Sequence, residues 1–308
     1  MDVIDFHCHF AGQGIPVDAS RGTPPAQKEF WNGVSKRLTQ EEALLTSLQT
    51  AGVKSRVINT SLEFVLAPGE EASLEIVQRI NDALADVTHR HSTVLHGLAT
   101  VDAYRGEESA RELTRAVREL GLKGVFIESA KGDLLPDAPE ARPTFLAASE
   151  LGIPVFLHPV PDGTLRQKFQ RTGKFSERLS RSAINGAALL AIVHAGMFDE
   201  MPNLNVVVTA LALGGLMVGE CLADGARIGK HASPRRNVFI DTTGMHPVMF
   251  RAAIDLVGAD HVVTGTDWPV ATETDLPARL ASVFDHCGLG NADRELIANA
   301  NARRLLRV

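Results

Sequence analysis

The sequence predicts a single (β/α)8 barrel spanning residues 1–308. Three observations lead there. Eight short apolar, β-branched runs recur at 3–6, 53–59, 93–100, 122–127, 153–157, 204–208, 237–240 and 261–265. Longer stretches of helical periodicity separate them. The junctions repeat one design, helix then glycine then strand, as in "LGLKGVFI" and "LGIPVFL". Strands alternating with helices pair in parallel. Eight such units suit a closed barrel whose reactive end is the C-terminal rim of its strands. A doubly wound open sheet is the alternative, weakened by the lack of a Gly-rich phosphate loop after the first strand.

The helical stretches are 39–50, 72–91, 107–120, 142–151, 176–201, 216–228, 247–257 and 275–287, with a closing helix at 293–306. Thr39 with Glu42 reads as a capping box for the first of them. Gly52, Gly121 and Gly152 read as helix C-caps ahead of the next strand. Residues 10–37 and 159–176 are rich in Gly and Pro and read as long irregular loops after the first and fifth strands. Loops of this length over a barrel mouth tend to be lids or binding loops.

Composition narrows the function classes. Of 308 residues, 44% are apolar and 22% charged, which is ordinary for a globular protein. The net charge of −6 and the lack of a basic cluster argue against a nucleic-acid surface. No apolar run reaches membrane-spanning length. The start lacks the charged and apolar regions of a signal peptide. Cys8, Cys221 and Cys287 are sparse and unpaired in spacing, so a reducing cytoplasm is the expected setting. The expected partner is a small-molecule substrate, without nucleic acid or membrane.

His7-Cys8-His9 carries the most chemistry. Residues i and i+2 of a strand share a face, so the two imidazoles project together and Cys8 points away into packing. Alone this is weak evidence for a metal. The fifth strand, however, ends at His158, and Asp267 lies just past the eighth. The first and eighth strands are neighbours in a closed barrel, and the fifth lies across the mouth. Three imidazoles and one carboxylate therefore converge. Such donors suit zinc best, while manganese or iron fit the same set.

With these pieces the chain resembles the amidohydrolase superfamily. More narrowly it is similar to the amidohydrolase-2 branch that contains amino-carboxymuconate-semialdehyde decarboxylase. The resembling segments are "DFHCHF", "GLKGVFI", "GIPVFLHP", "MFDEMPNLNVVV", "NVFIDTTGMHP", "GADHVVTGTDWP" and "NANARRLL". They follow the family's order over most of the chain. The resemblance implies a (β/α)8 barrel with one catalytic divalent metal on His7, His9, His158 and Asp267. It also implies a homodimer.

One departure stands out. Where the family carries a histidine after the sixth strand, aligning the glycines of "VTALALGG" puts Ala212, which cannot transfer a proton. His194 is one substitute, either on a helix running from the mouth or, in a shifted register, at a strand end. His246 is the other, after the seventh strand near Asp267, or simply starting a helix with Pro247. Glu128 ends the fourth strand, where it bridges a second metal, touches substrate or pairs with Lys131; a role beside a single metal is favoured. Arg166, Lys168 and Arg171 are candidates for a substrate carboxylate, because the guanidinium fork pairs with both oxygens. Trp268 and Phe10 are expected as apolar walls. Arg235 and Arg236 read as surface charge at the barrel bottom.

The leading functional expectation is hydrolysis of a lactone, amide or imide in a small cyclic or carboxylate-bearing molecule. Asp267 would accept the proton of metal-bound water. The alternative is non-oxidative decarboxylation of an aromatic or muconate-like acid, with His246 as proton donor. A minor alternative is a metal-binding protein with impaired catalysis.

Overall fold

A computed structural model describes residues 1–223 and 236–308, the side chains of 220–223 excepted. Cys221, Arg235 and the end of the helix expected at 216–228 therefore lie outside the described side chains. Nine strand segments run in chain order: β1 (Ile4–His9), β2 (Ser55–Asn59), β3 (Leu95–Gly97), β4 (Ala99–Thr100), β5 (Val125–Glu128), β6 (Pro154–His158), β7 (Asn205–Val208), β8 (Val238–Asp241) and β9 (Val262–Val263). All pair in parallel, as β1-β2-β3 and as β4 through β9.

Backbone hydrogen bonds join the two sheets into a ring. Leu98 N–H donates to Ile58 O at 2.9 Å, and Ala99 N–H to Gly124 O at 2.8 Å, so β3 and β4 are one interrupted strand serving both sheets. On the other side Phe6 N–H donates to Thr264 O at 2.7 Å and His9 N–H to Trp268 O at 2.6 Å. The chain is thus the expected (β/α)8 barrel, with eight strands where the apolar runs place them.

The ring has two cores. Inside it lie Ile4, Phe6, Val57, Leu98, Phe126, Phe156, Val207, Phe239 and Val263, joined by Ala302, Leu305 and Leu306 of the C-terminal helix. The larger core lies between strands and helices and includes Cys8, Ile58, Ile127, Leu157 and Ile240. Strand parity sorts residues between the two. In β1 that parity breaks. Asp5 pairs with Arg56 but Cys8 pairs with Ile58, so β1 carries one extra residue there. A bulge of this kind lets successive residues face the same way. Phe6 joins the inner core, and the His7 ring also sits inside, 4.9 Å from the Phe156 ring.

The helices include α1 (Lys28–Arg37), α2 (Glu41–Thr50), α3 (Leu74–Arg90), α4 (Glu107–Arg118), α5 (Arg142–Leu151), α6 (Gly163–Lys168), α7 (Ser176–His194), α8 (Met197–Glu200), α9 (Leu213–Ala223) and α10 (Pro247–Val257). The loops expected at 10–37 and 159–176 are corrected by α1 and α6. Prolines 24 and 25 precede α1 rather than break it, and its Val34 packs with Leu38 and Phe64 while Trp31 leans on that cluster. The presence of α1 also explains why the capping box does not form. Thr39 Oγ1 donates to Lys36 O at the end of α1, the N-cap of α2 is Gln40, and no side chain caps it. The expected 176–201 helix divides at Gly196, which takes a φ of 68°. Gly52, Gly121 and Gly152 have φ of 65°, 74° and 63°, the left-handed region a C-cap glycine supplies. No described helix is long and apolar enough to cross a membrane.

Candidate functional site

Parity brings the ends of four strands to one level above the aromatic floor. Val57, Phe126, Phe156 and Phe239 face inward. Two residues further on, the same face carries Asn59, Glu128, His158 and Asp241. His7 and His9 enter this level from β1.

The ring nitrogens of His7, His9 and His158 supply one donor atom each, all within 4.8 Å of one another. His7 and His9 approach through Nε2 atoms 3.2 Å apart. Their other nitrogens are engaged. His7 Nδ1 lies 2.5 Å from Asp241 Oδ2, and His9 Nδ1 lies 2.7 Å from Asn59 Oδ1. Each oxygen accepts, so each Nδ1 carries the proton and each Nε2 keeps its lone pair. Asp267 Oδ1 completes the cluster, 3.2 Å from His9 Nε2 and 3.7 Å from His7 Nε2. Its backbone has a φ of 66°, a region that Asp tolerates better than most residues.

The donor set fits a divalent cation. His158 Nδ1 is buried with no hydrogen-bond partner among the described residues, a cost that a native core avoids unless something else binds there. Burial, reinforced by His9, His7 and Arg181, holds the His158 imidazole well below its ordinary value, so it presents a neutral ring. For His7 burial disfavours the charged ring, but Asp241 outweighs it and the net shift is upward. Three imidazoles and a carboxylate can hold zinc or manganese.

Glu128 stands beside His158, its Cα partner in the β5–β6 ladder. Its Oε1 accepts from Ser61 Oγ at 3.2 Å and from Glu63 N–H at 3.1 Å. Burial and the nearby Glu63 carboxylate push it up to about 7. The pairing expected with Lys131 does not form: Lys131 bonds Asp102 Oδ2 at 2.7 Å and also Glu71. Above this side of the mouth, Arg181 on α7 reaches Glu63 at 3.0 Å, Glu177 at 3.0 Å and Pro159 O at 2.8 Å.

The other sequence candidates lie elsewhere. His246 is exposed and caps α10, its Nδ1 accepting from Val248 N–H at 3.3 Å. His194 is the exposed last residue of α7, at the end that leads to the start of β7 and hence to the opposite rim. Arg166 is exposed, 3.6 Å from Glu177, and Arg171 is exposed as well. Trp268 is buried, with the Arg56 guanidinium 5.4 Å from its ring centroid, and Phe10 lies in the outer core. Ala212 is buried in the turn after β7. Sequence reasoning missed Asp241 and Asn59. Each lies two residues beyond an inward apolar side chain, which is the signal that marks them.

A family model described as Amidohydrolase matches residues 4–308. The chain belongs to this amidohydrolase family. Among curated relatives, gamma-resorcylate decarboxylase from Rhizobium sp. (strain MTP-10005) is 26% identical, covering 97% of this chain and 96% of its own. The 2-amino-3-carboxymuconate-6-semialdehyde decarboxylase of Dictyostelium discoideum is 23% identical over 82% and 73%. A crystal structure of dihydroxybenzoic acid decarboxylase from Polaromonas sp. JS666, with bound manganese and the inhibitor 2-nitroresorcinol, matches with a TM-score of 0.79 at 21% identity, over 99% of this chain and 97% of that one. The chain is an enzyme of the amidohydrolase superfamily. The expectation of lactone, amide or imide hydrolysis is overturned, because the curated relatives are decarboxylases, one of them matched over nearly the whole of both chains. The resemblance to the branch containing amino-carboxymuconate-semialdehyde decarboxylase holds, and the relatives favour the decarboxylation that stood as the alternative.

Proposed function

We propose that this protein is a metal-dependent, non-oxidative decarboxylase of a hydroxylated aromatic carboxylic acid. The observation that carries the reading is the end-to-end similarity to gamma-resorcylate decarboxylase. The convergent donor cluster of His7, His9, His158 and Asp267 supports it. These four would hold a divalent ion, and manganese is favoured over zinc by its presence in the Polaromonas structure. When bound, such an ion supplies stabilisation of the negative charge that develops as the carboxylate departs.

The protein's own residues do the rest. Asp241 and Asn59 keep the protons of His7 and His9 on Nδ1, so neither ring turns its lone pair away. The aromatic floor of Phe126 and Phe156, stacked 5.6 Å apart, excludes water from below. The carbon–carboxylate bond breaks, its electron pair stays on the ring carbon, and CO2 leaves. One proton must then reach that carbon. Asp267 is assigned that delivery, since it is the carboxyl group set against both Nε2 atoms and it retains 28% exposure for reloading from water. His246, at the head of α10, is not needed for the step.

The test is direct. Protein loaded with manganese is given 2,6-dihydroxybenzoate, and CO2 and resorcinol are measured together. Release of both in equal amounts is the expected result, abolished by a chelator and restored by metal. Absence of CO2 from a panel of mono- and dihydroxybenzoates, with metal shown to be bound, would refute the reading.

A further inference from the structure

We propose that the second carboxylate oxygen of Glu128, Oε2, receives a hydroxyl group of the substrate ring and so selects among hydroxylated acids. The inference rests on the decarboxylase reading above and adds a specificity-determining residue to it.

Four observations converge. Glu128 is on the inward face of β5, two residues past Phe126 of the floor. It is the ladder partner of His158, so its Cα stands one strand spacing, about 4.8 Å, from a residue of the donor cluster. Its Oε1 is committed to Ser61 and Glu63 N–H, which fixes the carboxylate on the loop after β2. Its Oε2 has no partner among the described residues, although the side chain is only partly exposed. A carboxylate pinned through one oxygen, with the other idle beside a metal-binding imidazole, is a preorganised acceptor.

The neighbouring charges define what it accepts. Glu63 lies close enough to repel a second anion. Arg181, the cation that acts on His158, is already matched by Glu63 and Glu177. A second carboxylate on the ring would therefore meet repulsion on this side. A hydroxyl would meet an acceptor, and a bound ring lacking it would cover Oε2 without pairing it.

Two probes separated by one hydroxyl test this: 2-nitroresorcinol and 2-nitrophenol, titrated into the manganese-loaded protein by calorimetry. The expected wild-type preference for 2-nitroresorcinol is about tenfold or more. In Glu128→Gln the amide oxygen keeps the ties to Ser61 and Glu63 while the free end becomes a donor. The preference should then collapse towards one, with 2-nitrophenol binding and the circular-dichroism spectrum of the fold unchanged. Should Glu128→Gln fail to fold, Glu128→Asp keeps the charge and withdraws it by one methylene, and the same collapse is expected. A preference that survives these substitutions, equal losses for both probes, or no preference in the wild type each overturns the assignment. CO2 release separates the two claims. A Glu128-dependent preference without any CO2 sinks the decarboxylase reading alone, and CO2 release with an unaltered preference sinks the Glu128 contact alone.

Discussion

His7 Nδ1 and Asp241 Oδ2 lie 2.5 Å apart, joining the first strand of the barrel to the eighth segment through a fully buried carboxylate. Asp241 also accepts from Ala210 N–H and Thr243 N–H, both at 3.1 Å. It is therefore held from three sides and in turn holds the imidazole. In Asp241→Asn the fold should persist, because an amide oxygen can keep the backbone bonds. The grip on the His7 proton weakens, and divalent-metal affinity should fall about 10- to 100-fold. Competition titration against a metal-sensitive dye reads this directly, and unchanged affinity would count against the role assigned to Asp241.

Asp267→Asn should abolish decarboxylation while leaving the melting temperature within a few degrees of the wild type. Asn tolerates the φ of 66° as well as Asp does, so backbone strain does not confuse the result. Near-normal turnover would rule out proton delivery by Asp267.

Glu128 makes stability depend on pH. Its folded value is pushed up from 4.5 to about 7 by burial and by Glu63. Between those values the unfolded chain has released a proton that the folded chain still holds. Stability therefore falls as pH rises through this window, by roughly 3 kcal/mol at the most, and by less where solvent screens the partly exposed edge. Urea midpoints of metal-stripped wild type and Glu128→Gln, compared at pH 5 and pH 7.5, should diverge. The wild type should lose more stability than the variant over that rise, and parallel behaviour would contradict the shift.

Beneath the site, Arg56 Nε lies 3.0 Å from Asp5 Oδ2, and both side chains are buried. Burial raises the Asp5 carboxyl, with Arg56 opposing it. Arg56→Met should strand Asp5 and remove the cation from the Trp268 ring, costing about 3–5 kcal/mol. Chemical denaturation reads the loss. The double variant Asp5→Asn with Arg56→Met should recover part of it.

Much of the barrel was legible because its evidence is local. Apolar runs such as 204–208 and glycines such as Gly152 declare strands and helix ends within a few residues. The four donors were legible for the same reason, since His9 and His158 end their strands, His7 sits two residues before His9, and Asp267 lies just past the last strand. What escaped depended on distant pairing. Asp241 and Asn59 matter through histidines 234 and 50 residues away in the chain. α1 was hidden because Pro24, Pro25 and Gly33 dominate a composition-based reading, while its packing on Phe64 is tertiary. Hydrolysis is the leading sequence expectation because Ala212 stands where the family's proton-donating histidine is expected while Asp267 can act as a base without it, and the ligand set itself is compatible with both reactions.

The additional residue in β1 has a consequence for how this segment tolerates change. With regular alternation, Phe6 inside would send His7 and His9 out among the helices, and His7 inside would evict Phe6 from the floor. The bulge permits both. Deleting Phe6 would restore strict alternation, leaving His7 and His9 directed inward but removing the ring that packs on Phe156 beneath them. The extra residue of β1 is thus what lets one strand furnish both the floor and the donors above it.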